Sequence, residues 1–426
     1  MKRRFNLNTI KNFIWARLTG VFKWLYPGIG IKRWIGLGVF GFVLVVVGSN
    51  YLREEEFWFI KALDAVVVVS GIIILILGIK RIIRSFLAAF LPASKDVELV
   101  DILYHRSQVG RGPRIVVVGG GTGLSVLLSG LKEYTSNITA IVTVADDGGS
   151  SGRLRQQFDM LPPGDIRNCL VALADAPSLM RELFQFRFES GSELAGHNFG
   201  NLFITVMTRL TGDFEKAIKE TSKVLALRGE VIPSTLGKVV LVAKYKDGST
   251  AVGENKIPQA RKPIERVHLE PAASPATPEA IRAIQQAQLI VLGPGSLYTS
   301  VIPNLLIEEI SEALAKSNAA KVYVCNAMSQ PGETDNFRAS DHIKALVDHA
   351  NTKVLDRCII NTGEIPPEVL KRYSQQNSYP VAGDAKNIEK MGYQAIGADI
   401  VITEGVIRHD PQKLAKIILG IIEEAN

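Results

Sequence analysis

The chain has 426 residues, 47% hydrophobic and 21% charged, enough for more than one domain and a large core. Its formal net charge of +7 is unevenly held: residues 1–95 carry fourteen Lys and Arg against Glu54, Glu55, Glu56 and Asp64, leaving thirty-five basic against thirty-eight acidic residues beyond them. The basic balance therefore belongs to the amino-terminal part alone, and the remainder lacks the basic stripe that nucleic-acid binding demands.

Aromatic residues between Trp15 and Trp34 lie among basic ones, a composition suited to the headgroup layer of a membrane. Two apolar blocks follow, Ile35 to Leu52 and Ala65 to Ile79, the second preceded by Phe57-Trp58-Phe59-Ile60. Each reaches roughly the 20 residues needed to cross a bilayer, predicting transmembrane helices over 35–52 and 60–79, with Lys61 and Asp64 near an interface. Basic residues precede the first block and Lys80, Arg81 and Arg84 follow the second, while the connection Arg53-Glu54-Glu55-Glu56 is acidic. The expectation is a hairpin anchor (1–91) in the cell membrane, multi-pass, with both ends and the main domain in the cytosol. Some thirty residues ahead of the first block argue against a cleaved signal peptide. Residues 92–113 read as a linker with room for a short helix. Cys169, Cys325 and Cys358 show neither metal-ligand nor disulfide spacing, as suits a reducing cytosol.

From Arg114 onward, the apolar runs 115–118, 138–145, 239–245, 289–292, 322–324 and 400–403 alternate with helical patterns. This predicts an α/β domain over 114–426, Rossmann-like, with a mostly parallel sheet. An inserted β-hairpin is expected where Val239 to Ala243 and Thr250 to Val252 flank Lys246-Asp247-Gly248-Ser249. The first strand enters Gly119-Gly120-Gly121-Thr122-Gly123, ahead of a helix over 124–133. Glycine lets a backbone approach a ligand closely, and a helix start offers free N–H groups to phosphate. The spacing G-x-G-x-G departs from the dinucleotide fingerprint and from a Walker loop, so a plain tight turn stays open. The second strand delivers Asp146-Asp147-Gly148-Gly149-Ser150-Ser151, two carboxylates placed for ribose hydroxyls or phosphate-bound Mg²⁺.

Further polar clusters lie where strands end or helices begin. Pro162 to Asn168 puts Asp165 at a helix start, as N-cap or otherwise, with Arg167 and Asn168 behind it. Gly196-His197-Asn198-Phe199-Gly200-Asn201 supplies donors suited to sugar or phosphate. Gly293-Pro294-Gly295-Ser296 forms a second phosphate-type loop, and the segment from Asn326 to Thr334 follows the strand at Val322.

With these segments in order, the sequence resembles the gluconeogenesis factor (YvcK-like) family, within the wider CofD-like, 2-phospho-L-lactate transferase group. The resemblance runs from about Arg114 onward on GGGTGLSVLLSGLK, VTVADDGGSSGRLR, PPGDIRNCLVAL, LFQFRF, GHNFGNL, GPGSLYTSVIPNLL and NAMSQPGET, and does not cover residues 1 to about 95. It implies a nucleotide-binding regulator whose ligand is a UDP-sugar such as UDP-N-acetylglucosamine, linked to cell shape, cell-wall precursor supply and gluconeogenic growth. The related CofD branch is an Mg²⁺-dependent transferase acting on a nucleotide-diphosphate-linked donor, the alternative activity.

The expected site therefore has Gly119, Gly120, Gly121, Thr122 and Gly123 on one phosphate, with Gly293, Gly295 and Ser296 holding or flanking the other. Asp146 and Asp147 take ribose or metal, Asp147 being the candidate Mg²⁺ ligand, and Ser150 lies beside them. Asn198, Asn201 and Asn326 contact sugar or pyrophosphate, and Arg167 offsets charge. Tyr373 and Arg408-His409-Asp410 are candidates for the uridine side. No catalytic residue is assigned and a homodimer is left open. An NAD-dependent oxidoreductase fits poorly, because the glycine spacing is wrong and His197 alone offers a proton.

Overall fold

The apolar blocks form α1 (Ile31–Glu54) and α2 (Trp58–Phe90) in a computed structural model that describes residues 31–54, 57–90, 109–191 and 193–425. The aromatic segment up to residue 30, and most of the expected linker, lie outside the described residues. The chain divides into two units, Met1–Glu98 and Leu99–Asn426. Within the first, Arg33–Tyr51 and Trp58–Ile83 are long and apolar enough to cross a membrane. Both helices outrun the apolar blocks, because the flanking basic residues are themselves good helix formers.

Glycines bring α1 and α2 together. A Cβ on Gly41 would stand 2.7 Å from the Leu75 nitrogen and 2.8 Å from the Gly71 oxygen, and one on Gly71 2.9 Å from the Gly41 oxygen. Small residues permit this backbone approach, the usual basis of helix pairing in lipid. Gly71→Val is expected to force the helices apart at about 1–3 kcal/mol. Faster amide exchange between residues 38 and 48 of the full chain in micelles would register it; unchanged exchange would refute it.

The second unit opens with β1 (Ile115–Gly119), α3 (Gly121–Leu131), β2 (Ile138–Val142), α4 (Gly149–Phe158), α5 (Gly164–Leu173), α6 (Ser178–Gln185), α7 (Phe199–Thr211), α8 (Phe214–Val224) and β3 (Glu230–Pro233). An antiparallel sheet follows, β4 (Val240–Tyr245), β5 (Thr250–Val252) and β6 (Ile264–Glu270), then α9 (Pro278–Gln286), β7 (Leu289–Leu292), α10 (Ile302–Leu305), α11 (Glu308–Lys316) and β8 (Ala320–Val324). The chain continues through α12 (Ala339–Ala350), β9 (Arg357–Asn361), α13 (Pro367–Ser374), α14 (Ala385–Lys390), β10 (Gln394–Ala398), β11 (Val401–Ile402), β12 (Arg408–His409) and α15 (Pro411–Ala425).

Seven strands make one sheet in the order β10-β9-β8-β7-β1-β2-β3, every neighbouring pair parallel. Helices cover both faces, so β1 and β7 are buried at every position and read as unbroken apolar runs. The expected hairpin is present, with Gly248 at φ +85° in its turn, but β6 pairs with β4 to make it three-stranded. Three expectations shift. The helix after the first glycine loop runs Gly121–Leu131 instead of 124–133, taking Gly121, Thr122 and Gly123 into its first turn. The second strand ends at Val142, short of Ala145, and the run 400–403 lies outside the main sheet, where Val401–Ile402 pairs antiparallel with Arg408–His409.

Candidate functional site

The chain leaves β1 for β2 and β3 on one side and later returns to β7 on the other, so strand order reverses between β1 and β7. Open α/β sheets form their ligand crevice at such a point, outside the carboxyl ends of the strands. The two glycine loops meet there. A Cβ on Gly123 would stand 2.8 Å from the Pro294 oxygen and 3.1 Å from the Gly295 Cα, and one on Gly295 3.1 Å from the Gly120 oxygen. Gly121 at φ +69° and Gly293 at φ +72° make the turns that allow this contact. Asn304, buried beneath, donates from Nδ2 to the Gly119 oxygen (3.2 Å) and the Ser300 oxygen (2.9 Å), tying loop to loop.

Carboxylates crowd the same end of the sheet. Asp146 Oδ1 accepts the Gly148 N–H at 2.8 Å, and burial raises its pKa. Asp147 Oδ1 instead accepts the Asn255 N–H at 2.9 Å, which anchors it to the loop after β5. Asp165 does not cap its own helix, whose N-cap is Pro163; it accepts the Gly121 N–H from the first glycine loop. Burial, then the charge on Asp146, push its carboxyl up to about 7. Glu333 does the same for the second loop, accepting the Tyr298 N–H (3.3 Å) and the Thr299 hydroxyl (3.1 Å), and burial raises it to about 7. Glu254, on the loop after β5, is raised well above its ordinary value by burial and by Asp146, and its Oε2 has no partner among the described residues. Some of the amides expected to face phosphate are thus held by the protein's own side chains.

Beside them stands a wall of donors, with Ser151 hydrogen-bonded to Asp146. The Ser150 hydroxyl lies 3.3 Å from His197 Nδ1 and accepts the Asn198 N–H at 3.2 Å. Asn198 caps α7 by accepting the Asn201 N–H, also at 3.2 Å, and Asn201 Nδ2 reaches the Ser151 hydroxyl at 3.5 Å. Asn201 Oδ1 and Arg167 Nε are buried without partners among the described residues. Burial, then the charge on Arg187, bring the Arg167 guanidinium down to about 10, and His197 is lowered by burial and by Arg153. Buried polar atoms of this kind are expensive unless a ligand or water satisfies them.

On the β8 side, Gln330 Nε2 donates to the Ser296 hydroxyl (2.6 Å) and its Oε1 accepts from Asn326 (3.3 Å), linking Asn326 to the second glycine loop. Tyr373 and Arg408 are 35 positions apart yet adjoin, because the Tyr373 hydroxyl accepts the Ile407 N–H at 2.7 Å. Tyr373 packs with Ala327, Val401 and Ile407, while Arg408 is exposed. His409 is buried with Nε2 3.2 Å from the Cys325 oxygen, its pKa pushed down to about 4 by burial, which gives it a packing role. Thr122 is exposed, and Asp410 caps α15, accepting the Gln412 and Lys413 N–H groups. Glu333, Asn304, Gln330 and Glu254 were missed from sequence, although Gln330 and Glu333 lie in NAMSQPGET. Among the described residues no three or more His, Cys, Asp or Glu are arranged to hold a metal. Two open clefts, about 880 and 810 Å³, lie elsewhere, along β3 with α8 and α9 and between β6 and α12. Their volume is a weaker guide than the convergence of loops and buried polar groups.

Comparison with known proteins agrees with this architecture. The CofD family, described as 2-phospho-L-lactate transferase CofD, matches residues 115–401. The gluconeogenesis factor of Bacillus subtilis (strain 168) is 48% identical over 317 residues, spanning 74% of this chain and all of its own length. A protein of Nostoc sp. (strain PCC 7120) is 46% identical over 424 residues, spanning 95% of this chain and 93% of its own. A crystal structure of a UPF0052 family member from Bacillus halodurans superposes with TM-score 0.70 at 47% identity, covering 72% of this chain and 99% of that one. Coverage of 95% cannot omit both α1 and α2, so the Nostoc protein corrects the expectation that similarity ends near residue 95. The chain belongs to the gluconeogenesis factor family, within the CofD-like group.

Proposed function

We propose that this protein is a UDP-sugar-binding regulator of the UDP-N-acetylglucosamine type, held at the cytosolic face of the cell membrane by α1 and α2. It would support cell shape and cell-wall precursor supply during gluconeogenic growth. The reading rests on one observation above others: both glycine loops, distant in sequence, abut where the strand order reverses. A diphosphate would lie between the Gly119–Gly123 backbone and Arg167, whose unpartnered Nε and charge suit it. Ser150, Asn198 and Asn201 would serve phosphate or sugar, Ser296 and Asn326 the second phosphate, and Tyr373 and Arg408 the uridine. Charge asymmetry across the hairpin supports cytosolic ends. The full chain in detergent should melt at higher temperature with UDP-sugars than with other nucleotides, since a ligand of the folded state stabilises it. Silence across all uridine ligands would refute the proposal.

The CofD match and the crowded carboxylates favour a second reading, an Mg²⁺-dependent transferase on a nucleotide-diphosphate-linked donor. Asp146 and Asp147 would hold the ion, which supplies charge neutralisation at the pyrophosphate. Chromatography after incubation with UDP-sugars or GDP-linked donors and Mg²⁺ separates the two. The regulator leaves the nucleotide intact; metal-dependent turnover lost in Asp147→Asn would establish the transferase.

A further inference from the structure

We infer that Glu254, on the loop that leaves β5, is a ligand contact of the crevice and binds a hydroxyl group of the nucleotide sugar. The inference rests on the nucleotide-sugar reading above for the class of ligand. The loop is wedged between two others that form the site. On one side Asp147 Oδ1 accepts the Asn255 N–H at 2.9 Å, and Gly253, at φ +102°, passes so near that a Cβ there would overlap Asp147 Oδ2. On the other, a Cβ on Gly332 would overlap the Pro258 oxygen, which seats the loop against the segment carrying Gln330 and Glu333. Two bonds tie it to the inserted sheet: the Gly253 N–H donates to the Leu241 oxygen and the Tyr245 hydroxyl to the Ile257 oxygen, both at 2.8 Å. The backbone of Glu254 is thus held between the acidic loop after β2 and the loop after β8.

The charges of Asp146, Asp165, Glu333 and Asp147 all reach Glu254, which places it in the carboxylate cluster at the end of the sheet. Those four are engaged with backbone amides: Asp146 with Gly148, Asp147 with Asn255, Asp165 with Gly121 and Glu333 with Tyr298. Glu254 Oε2 is buried with no partner among the described residues, so that oxygen holds nothing of the fold in place. A buried polar atom left unpaired is costly, and a ligand group that pairs with it recovers the loss. Donor and acceptor chemistry selects the group. A phosphate oxygen only accepts, so an ionised carboxylate repels it, and among the described residues no three His, Cys, Asp or Glu are arranged to hold a metal. A hydroxyl both donates and accepts, so it pairs with the carboxyl whether that is protonated or not. Ribose and hexose each carry such hydroxyls, and ligands lacking one or the other distinguish the two sources.

The test titrates the full chain in detergent, by calorimetry, with UDP-N-acetylglucosamine, its deoxyribose analogues, and UDP, which lacks the hexose. Glu254→Ala should weaken UDP-N-acetylglucosamine binding about 10-fold or more without lowering the melting temperature of the free chain. Glu254→Gln, which still donates and accepts, should keep most of the affinity. The ligand without the contacted hydroxyl should bind the native and Glu254→Ala chains alike: UDP for a hexose contact, a deoxyribose analogue for a ribose contact. Undiminished affinity in Glu254→Ala, equal losses with every ligand, or a lower melting temperature of the free variant would overturn the inference. So would Glu254→Gln as weak as Glu254→Ala, which would point to a bound cation. The uridine reading fails separately: a native chain that prefers GDP- or ADP-sugars sinks it, and the same comparison is then made with that sugar and its analogues. Silence to every nucleotide sugar refutes both.

Discussion

A chain carrying Gly123→Ala is expected to bind nucleotide sugar about 100-fold more weakly than the native protein. The added methyl would stand 2.8 Å from the Pro294 oxygen and 3.0 Å from its carbonyl carbon, and these are backbone atoms that no side-chain rotation can move aside. One loop must retreat from the other, and each carries part of the diphosphate cradle. Loss of this size follows from displacing binding groups by less than an ångström while the helices behind stay in place. Isothermal titration of native and variant chains, with circular dichroism as a control for folding, makes the comparison. Equal affinity in a folded variant would mean that the abutting loops do not hold the ligand.

Glu333→Gln should stabilise the protein above neutral pH by about 3 kcal/mol and leave it unchanged near pH 4. The Glu333 carboxyl rises from an ordinary 4.5 to about 7, because burial disfavours its charged form. Below about 4.5 it is protonated whether the chain is folded or not. Between about 4.5 and 7 only the folded state keeps the proton, so stability falls as pH rises, and above about 7 the loss is complete. Glutamine can still accept the Tyr298 N–H, and it never ionises. Melting temperatures from pH 4 to 8.5 should therefore fall less steeply in the variant; Asp165, raised in the same direction, leaves a residual slope. Parallel curves for the two proteins would contradict the assignment.

The same carboxylates bear on ligand uptake. A diphosphate arriving beside Asp165 and Glu333 raises both pKa values further, so binding takes up protons and affinity should fall as pH rises through about 7. Titrations in buffers of different ionisation enthalpy would show this as a buffer-dependent heat; a buffer-independent heat at pH 7 would count against it.

Most strands buried on both faces were legible in the sequence, but β9 (Arg357–Asn361), interior to the sheet, was not, because its buried run Cys358-Ile359-Ile360 is only three residues long between polar ends. Ile115–Gly119 and Leu289–Leu292 are unbroken apolar runs because helices cover both sides. β3 and β10 escaped notice as edge strands, one a four-residue piece ending in Pro233, the other half exposed with a glycine inside. β6 alternates buried Ile264, Val267 and Leu269 with charged residues, but the register slip at Lys244/Tyr245 breaks the simple hairpin pattern. At the site, glycine loops and strand-end polar clusters were readable because turn geometry is local. The holders of those loops were not: Asp165 reaches Gly121 and Glu333 reaches Tyr298 only once the sheet has formed, and no short-range spacing encodes either contact.

The most direct test is a crystal structure of the protein with UDP-N-acetylglucosamine. The account predicts the diphosphate between the Gly119–Gly123 backbone and the Arg167 guanidinium, with Asn201 turned to it and Gly295 alongside. Diphosphate density at another place, with the Asp165–Gly121 and Glu333–Tyr298 contacts unchanged and Arg167 Nε still alone, would contradict it.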